Sequence, residues 1–177
     1  MKKFQFLLLD AGPIIKLFEL GLWDKFIEKC DVTIPRTIVE DETVFFGAED
    51  NKTFIEQGLA SYEKSGSVKI VDVTLSEMKI FYDKFDLTYQ AGIHPGEKEA
   101  LTFLFNAPES YLLCSADKVV FKVLGLLGRS EQGISLEEIL GQIGLYQKLE
   151  ERFTKQFREK YTKIGQTDAI QDKGIEK

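Results

Sequence analysis

The stretch Phe4-Gln5-Phe6-Leu7-Leu8-Leu9-Asp10-Ala11-Gly12-Pro13 decides how the chain is read. Its first six residues are almost continuously apolar, without the alternation of a half-exposed strand, which is the pattern of a β-strand covered on both faces in a parallel sheet. The run stops at an acid, and Gly12-Pro13 supplies a helix start with proline in the first turn. Met1-Lys2-Lys3 ahead of the run give it a superficial likeness to a secretory leader. The apolar stretch ends at Asp10 with no small-residue cleavage site behind it, so a buried strand is the expectation.

The same strand-then-helix unit repeats downstream. A helix over about residues 14–20 ends at Gly21, Leu22–Lys29 reads as a second helix, and Val32-Thr33-Ile34 as a strand stopped by Pro35. Residues 36–46 read as helical, Gly47 to Asn51 as a break, and a weakly helical stretch runs to Tyr62. Lys64-Ser65-Gly66-Ser67 turns the chain into a strand over Val68–Val73, and Thr74 with Glu77 has the spacing of a capping box opening a helix to Phe85. Residues 87–96 read as a loop before a helix over Glu97–Phe105, followed by a strand at Tyr111–Cys114 and a helix from Asp117 to Leu127. Ser135 and Glu138 form a second capping box, flanked by Ile134 and Ile139 as a hydrophobic staple, and Gly144 ends that helix.

This alternation predicts an α/β fold, a three-layer α/β/α sandwich on a central, mainly parallel sheet over residues 1–145. Leu145, Leu149, Phe153, Phe157 and Tyr161 recur at intervals of four and predict a C-terminal amphipathic helix over 146–165, packed on the domain or on a dimer partner. Residues 166–177 are polar enough to read as a frayed tail.

Composition bounds the function classes. A chain of 177 residues with 44% hydrophobic content, including 14 Phe, is long enough to bury a core, and 29% charged residues fit an ordinary soluble surface. Cys30 and Cys114 lack CxxC spacing and read as two buried thiols, which fits a reducing, cytoplasmic compartment. No stretch approaches the roughly 20 apolar residues that span a bilayer. The net charge of -6 disfavours general nucleic-acid affinity, so any such contact must be local.

In an open parallel sheet, ligands bind beyond the carboxyl ends of the strands, which singles out acids placed just after strands. Asp10 follows the first strand, and Asp117 follows the fourth with Ser115 two residues ahead of it. Each also reads as a helix N-cap. Glu97 opens a helix behind Pro95-Gly96, where a carboxylate also offsets the helix dipole, and Glu40-Asp41-Glu42 also reads as a solvated helix face. What joins them is placement at one rim of a doubly wound sheet. Converging carboxylates repel unless cations intervene, and an all-oxygen donor set suits Mg²⁺ or Mn²⁺. Such ions activate water against a phosphodiester.

These residues resemble the PIN-domain family, in particular its prokaryotic nucleic-acid-binding branch. Leu7-Leu8-Leu9-Asp10-Ala11-Gly12-Pro13-Ile14-Ile15 is similar to the family's opening block, and Ile34-Pro35-Arg36-Thr37-Ile38-Val39-Glu40-Asp41 to the block with its second acid. His94-Pro95-Gly96-Glu97-Lys98-Glu99-Ala100-Leu101 is similar to the third, and Leu112-Leu113-Cys114-Ser115-Ala116-Asp117 to the fourth. Order and spacing over about residues 4–145 carry the resemblance. It implies catalytic acids and metal ligands at Asp10, Asp41, Glu97 and Asp117, with Glu40 as the alternative second ligand and Ser115 as a supporting hydroxyl. It further implies a divalent-metal-dependent endoribonuclease, with the toxin of a toxin–antitoxin pair as one such role, bringing RNA, a small antitoxin protein and homodimerisation as expected partners. Ala11, Gly12 and Ala116 stand where the family often has polar residues that brace the ligands. A catalytically degenerate PIN-like module for nucleic-acid binding or protein interaction is therefore the alternative expectation.

Other motifs carry less. His94, the only histidine, lies in the loop before Pro95 and reads as a turn or surface residue before it reads as a proton carrier. Lys98 and Lys118 suit either phosphate steering or helix solvation. Arg152, Lys155 and Arg158 read either as RNA contacts or as plain surface. The glycines of a dinucleotide fingerprint and the lysine motif of a phosphate loop are both missing. An aspartyl-phosphate mechanism at Asp10 is disfavoured because Gly12 stands where its second acid is required.

Overall fold

A computed structural model describes residues 3–42, 59–107 and 111–176, with the side chains at 5, 6, 41 and 42 outside that description. Within it the chain folds on strands β1 (Phe4–Leu9), β2 (Cys30–Pro35), β3 (Val68–Val71), β4 (Leu112–Cys114) and β5 (Gly133–Ile134). They form one sheet in the order β3-β2-β1-β4-β5, and every neighbouring pair is parallel. Helices α1 (Ala11–Glu19), α2 (Trp23–Lys29), α3 (Leu75–Tyr82), α4 (Leu87–Gln90), α5 (Pro95–Asn106), α6 (Lys118–Leu126), α7 (Leu136–Gln142) and α8 (Lys155–Ile170) surround it.

The central strand explains the layering. Leu7, Leu8 and Leu9 are all fully buried, Leu7 and Leu9 on one face and Leu8 on the other. Leu7 and Leu9 share a core with Ile14 and Leu17 of α1, Phe26 of α2 and Leu136 and Ile139 of α7. Leu8 shares a second core with Phe81 of α3, Leu101 and Leu104 of α5 and Val120 of α6. Each leucine contributes roughly 1.5–3 kcal/mol by burial, so both helical layers are anchored on one short run. The expected three-layer α/β/α sandwich is the observed fold.

Local signals placed several helix starts. Thr74 Oγ1 accepts the Glu77 N–H at 3.2 Å while Glu77 Oε2 accepts the Thr74 N–H at 2.9 Å. Ser135 and Glu138 exchange the same pair of bonds at 3.2 and 3.0 Å. The helix expected over 36–46 is a π-helical turn at Ile38–Glu42, and its continuation and the break at 47–51 lie outside the described residues. Residues 87–96, expected as a loop, contain the single turn α4, capped by Asp86. Strand β5 was not expected, being only two residues long.

The C-terminal third departs most from expectation. The helix begins at Lys155 rather than 146, with Thr154 Oγ1 accepting the Phe157 N–H at 3.2 Å as its cap. Leu145 and Leu149 instead sit in an irregular segment packed on the first core, and Phe153 is buried in a 3₁₀ turn at Glu151–Phe153. An interval of four returns to the same face in an extended chain as well as in a helix, so the periodicity did not discriminate. Nor are residues 166–176 a loose tail. The helix continues to Ile170, Gly174 exchanges hydrogen bonds with Asp86 at 2.9 and 3.0 Å, and Ile175 bridges Phe85. Among the described residues no helix is long and apolar enough to cross a membrane.

Helix α8 packs on α6 through two glycines. A Cβ at Gly165 would lie 1.9 Å from the Lys122 carbonyl oxygen, and one at Gly125 would lie 2.1 Å from that of Thr162. Backbone therefore meets backbone, an approach that only glycine permits. Gly165→Ala is expected to lower unfolding free energy by about 2 kcal/mol or more, because the helices must separate. Gly141→Ala, whose Cβ would meet only Tyr146 at 3.5 Å, serves as control and should be neutral or stabilising. Urea unfolding of the two variants measures the contrast.

Candidate functional site

From β1 the chain builds β2 and β3 on one side and returns to place β4 on the other, so the reversal of strand order falls between β1 and β4. The crevice beyond the carboxyl ends of these two strands is where such sheets take ligands. Asp10 stands one residue past β1, and its N–H donates to the Cys114 carbonyl at 3.0 Å, joining the two strand ends. Ser115, Ala116 and Asp117 follow β4 directly. Glu97 arrives from the first turn of α5. Together Asp10, Gly12, Glu97, Ala116, Asp117 and Arg152 wall a small cavity of about 120 Å³.

The acids are capping residues and cavity residues at once. Asp10 is buried; its Oδ1 accepts the Ala11 N–H at 2.8 Å and its Oδ2 accepts the Ser115 hydroxyl at 2.5 Å. Ser115, itself fully buried, also accepts the Asp117 N–H at 3.0 Å through its Oγ. Asp117 Oδ1 in turn accepts the Val119 N–H at 2.8 Å at the start of α6. One hydroxyl thus orients the Asp10 carboxylate and holds the backbone of Asp117, whose own carboxylate is set by the start of α6. Gly12 keeps the wall open, since a Cβ there would come within 3.1 Å of the Ala116 Cβ.

Glu97 is the third acid and carries the electrostatic conflict. It is buried, its Oε2 accepts the His94 N–H at 2.9 Å, and the Asp117 carboxyl lies close beside it. Burial first, then the negative charges of Asp10 and Asp117, push its carboxyl up to about 9, only partly opposed by the His94 N–H. Its carboxyl therefore keeps a proton well above the usual carboxylate range. His94 Nδ1 lies 3.4 Å from Glu97 Oε2, and ligand atoms of His94, Glu97 and Asp117 fall within 4.8 Å of one another. The carboxylate oxygens among these donors suit a hard divalent cation, whose charge would relieve the repulsion.

Of the remaining expected residues, Glu40 alone has a described side chain. Glu40 is exposed and lies 3.5 Å from the Arg36 guanidinium, away from the cavity wall. The Asp41 side chain lies outside the described residues. Three further residues, His94, Arg152 and Glu99, shape the site or the helix that carries it. His94 stands three before Glu97, a capping-box interval that already linked them. Arg152 reaches the cavity only because the chain folds back after α7. Glu99, 3% exposed, accepts the Thr37 N–H at 2.8 Å and the Val73 N–H at 3.2 Å, so it ties α5 to the ends of β2 and β3.

Comparison of the chain with protein-family models, with curated proteins and with solved structures returned no match in any of the three.

The raised Glu97 carboxyl has a stability consequence. The folded chain holds this proton to about pH 9, whereas an unfolded glutamate releases it near 4.5, so stability falls as pH rises between those values. Glu97→Gln has no such proton to lose. In a chelator-containing buffer, its melting temperature is expected to gain on the unmutated protein progressively from pH 4.5 to pH 9. A constant difference across that range would mean that the Glu97 carboxyl is not raised in the folded chain.

Proposed function

We propose that the protein is a divalent-metal-dependent nuclease that hydrolyses RNA phosphodiesters at the cavity between β1 and β4. The observation that carries this reading is the convergence of Asp10, Glu97 and Asp117, from three separate segments, on one small cavity at the reversal of strand order. Their all-oxygen donor set suits Mg²⁺ or Mn²⁺, and the choice of RNA rests on the resemblance of the four sequence blocks to PIN domains.

In this reading Asp10, Glu97 and Asp117 would hold the cation, with Ser115 keeping Asp10 in place. The cation, when bound, would lower the pKa of water and offset charge on the phosphate under attack. The residues of the chain do the positioning. Asp10 and Asp117 are locked by the helix starts that they cap, so little ordering remains to be done when substrate arrives. Glu97 would serve as a ligand in its ionised form, which a bound cation would favour. His94, at the solvent side of the group, adds a nitrogen within reach of the same place.

A second reading, a PIN-like module that has lost catalysis, is favoured by one observation. Among the described residues the cavity has three carboxylates, since Glu40 is held at the surface by Arg36. Calorimetry with Mn²⁺ separates the two. Micromolar binding that disappears in Glu97→Gln supports the metal site, and its absence favours the degenerate module.

Incubation of the protein with structured RNAs and Mn²⁺ is expected to give cleavage. Asp10→Asn and Asp117→Asn should reduce it on the order of 100-fold or more, and Ser115→Ala about 10-fold, since it removes only the group that orients a ligand. Cleavage that persists unchanged in both aspartate variants would place the activity outside this cavity.

A further inference from the structure

The C-terminal segment presents Arg152, Lys155 and Arg158 within two turns, and the fold gives them different surroundings. Arg158 is engaged by Glu138, with Nε 2.7 Å from Oε2 and Nη2 2.8 Å from Oε1. Lys155 is exposed and lies 3.6 Å from Glu159. Arg152 alone of the three walls the acidic cavity, beside Asp10, Glu97 and Asp117. The Arg152 guanidinium is held there by the ring of Phe153, 4.8 Å from its centroid, and that ring is fully buried.

A cation–π contact does not use the N–H groups of a guanidinium, whose edge matches a pair of phosphate oxygens. Glu150, the acid two residues earlier, is bonded to Lys16 at 2.7 Å. The position has a chemical need. A chain of net charge -6 that gathers three carboxylates at one place repels a polyanion, and a local cation must offset this for a phosphate to approach.

We propose that Arg152 is the phosphate-binding residue of this site, its guanidinium edge taking the non-bridging oxygens of the ribophosphodiester held against Asp10 and Asp117. The inference rests on the nuclease reading for the identity of the ligand, and it makes the C-terminal segment part of the substrate site. Lys155 and Arg158 then have structural or surface roles.

The test uses the full chain and compares Arg152→Ala, Arg152→Lys and Lys155→Ala. Binding of a short labelled oligoribonucleotide is measured in Ca²⁺ over a range of salt, with cleavage in Mn²⁺, Mn²⁺ calorimetry and melting temperature alongside. Arg152→Ala is expected to weaken RNA binding about 10-fold and to reduce the slope of log affinity against log salt by about 0.7, the share of one single-strand phosphate. Where cleavage is seen, KM should rise in the same variant. Arg152→Lys should recover part of the binding, keeping the charge without the two-point geometry, and Lys155→Ala should resemble the unmutated protein. Unchanged RNA affinity and salt slope in Arg152→Ala overturn the proposal, as does a change confined to Mn²⁺ affinity or melting temperature, which would make Arg152 a counter-charge. If RNA binds through Arg152 but is never cut, the nuclease reading fails and this assignment stands. If the unmutated protein cleaves and Arg152→Ala does so equally well, the assignment fails alone. A protein that neither binds nor cuts RNA removes both.

Discussion

Burial of Leu7, Leu8 and Leu9 on both faces of the central strand is the constraint on which the rest of this structure depends. A strand that is covered on both sides must lie inside the sheet, and here it pairs with β2 on one edge and β4 on the other. The chain cannot fill both edges in one direction, so it winds outward through β3 and then returns for β4 and β5. That return opens the crevice at the strand ends. Asp10 occupies it because it is the first residue after the apolar run.

The electrostatics of the crevice follow from how its acids are held. Asp10 and Asp117 each cap a helix with one oxygen, so ordinary folding interactions keep two carboxylates at the same opening. Capping and ligation are often treated as competing explanations for such residues. In this geometry they are complementary, since the cap uses one oxygen and fixes where the other lies. Glu97 then meets two charges in a buried place and keeps its proton. A cation among these acids would relieve that repulsion.

Around this centre the C-terminal segment acts as a brace. Two glycine contacts bring α8 onto α6, the helix that Asp117 starts, and the turn before α8 carries Phe153 into the core and Arg152 to the cavity wall. Glu99 does comparable work from the other side, since its buried carboxylate links α5 to the ends of β2 and β3. Both devices hold the helix starts that carry the site acids, and neither has a local sequence signature.

The sequence by itself determined what depends on neighbours a few residues apart. The continuous apolar run marked a doubly covered strand, Thr74/Glu77 and Ser135/Glu138 marked helix starts, and an acid directly after a strand marked the rim at Asp10 and Asp117. These are short-range consequences of side-chain burial and of unpaired backbone N–H groups at helix ends. Only the tertiary structure decided what depends on chain return. It brought Glu97 against Asp117, set Glu40 at the surface beside Arg36, broke the four-residue stripe into an irregular segment and a helix, and carried Arg152 into the acidic cavity. Apart from the short-range pair Arg36–Glu40, such contacts join residues far apart in the chain, and the four-residue periodicity is shared by helix and extended chain. Packing, not spacing, selected between the two.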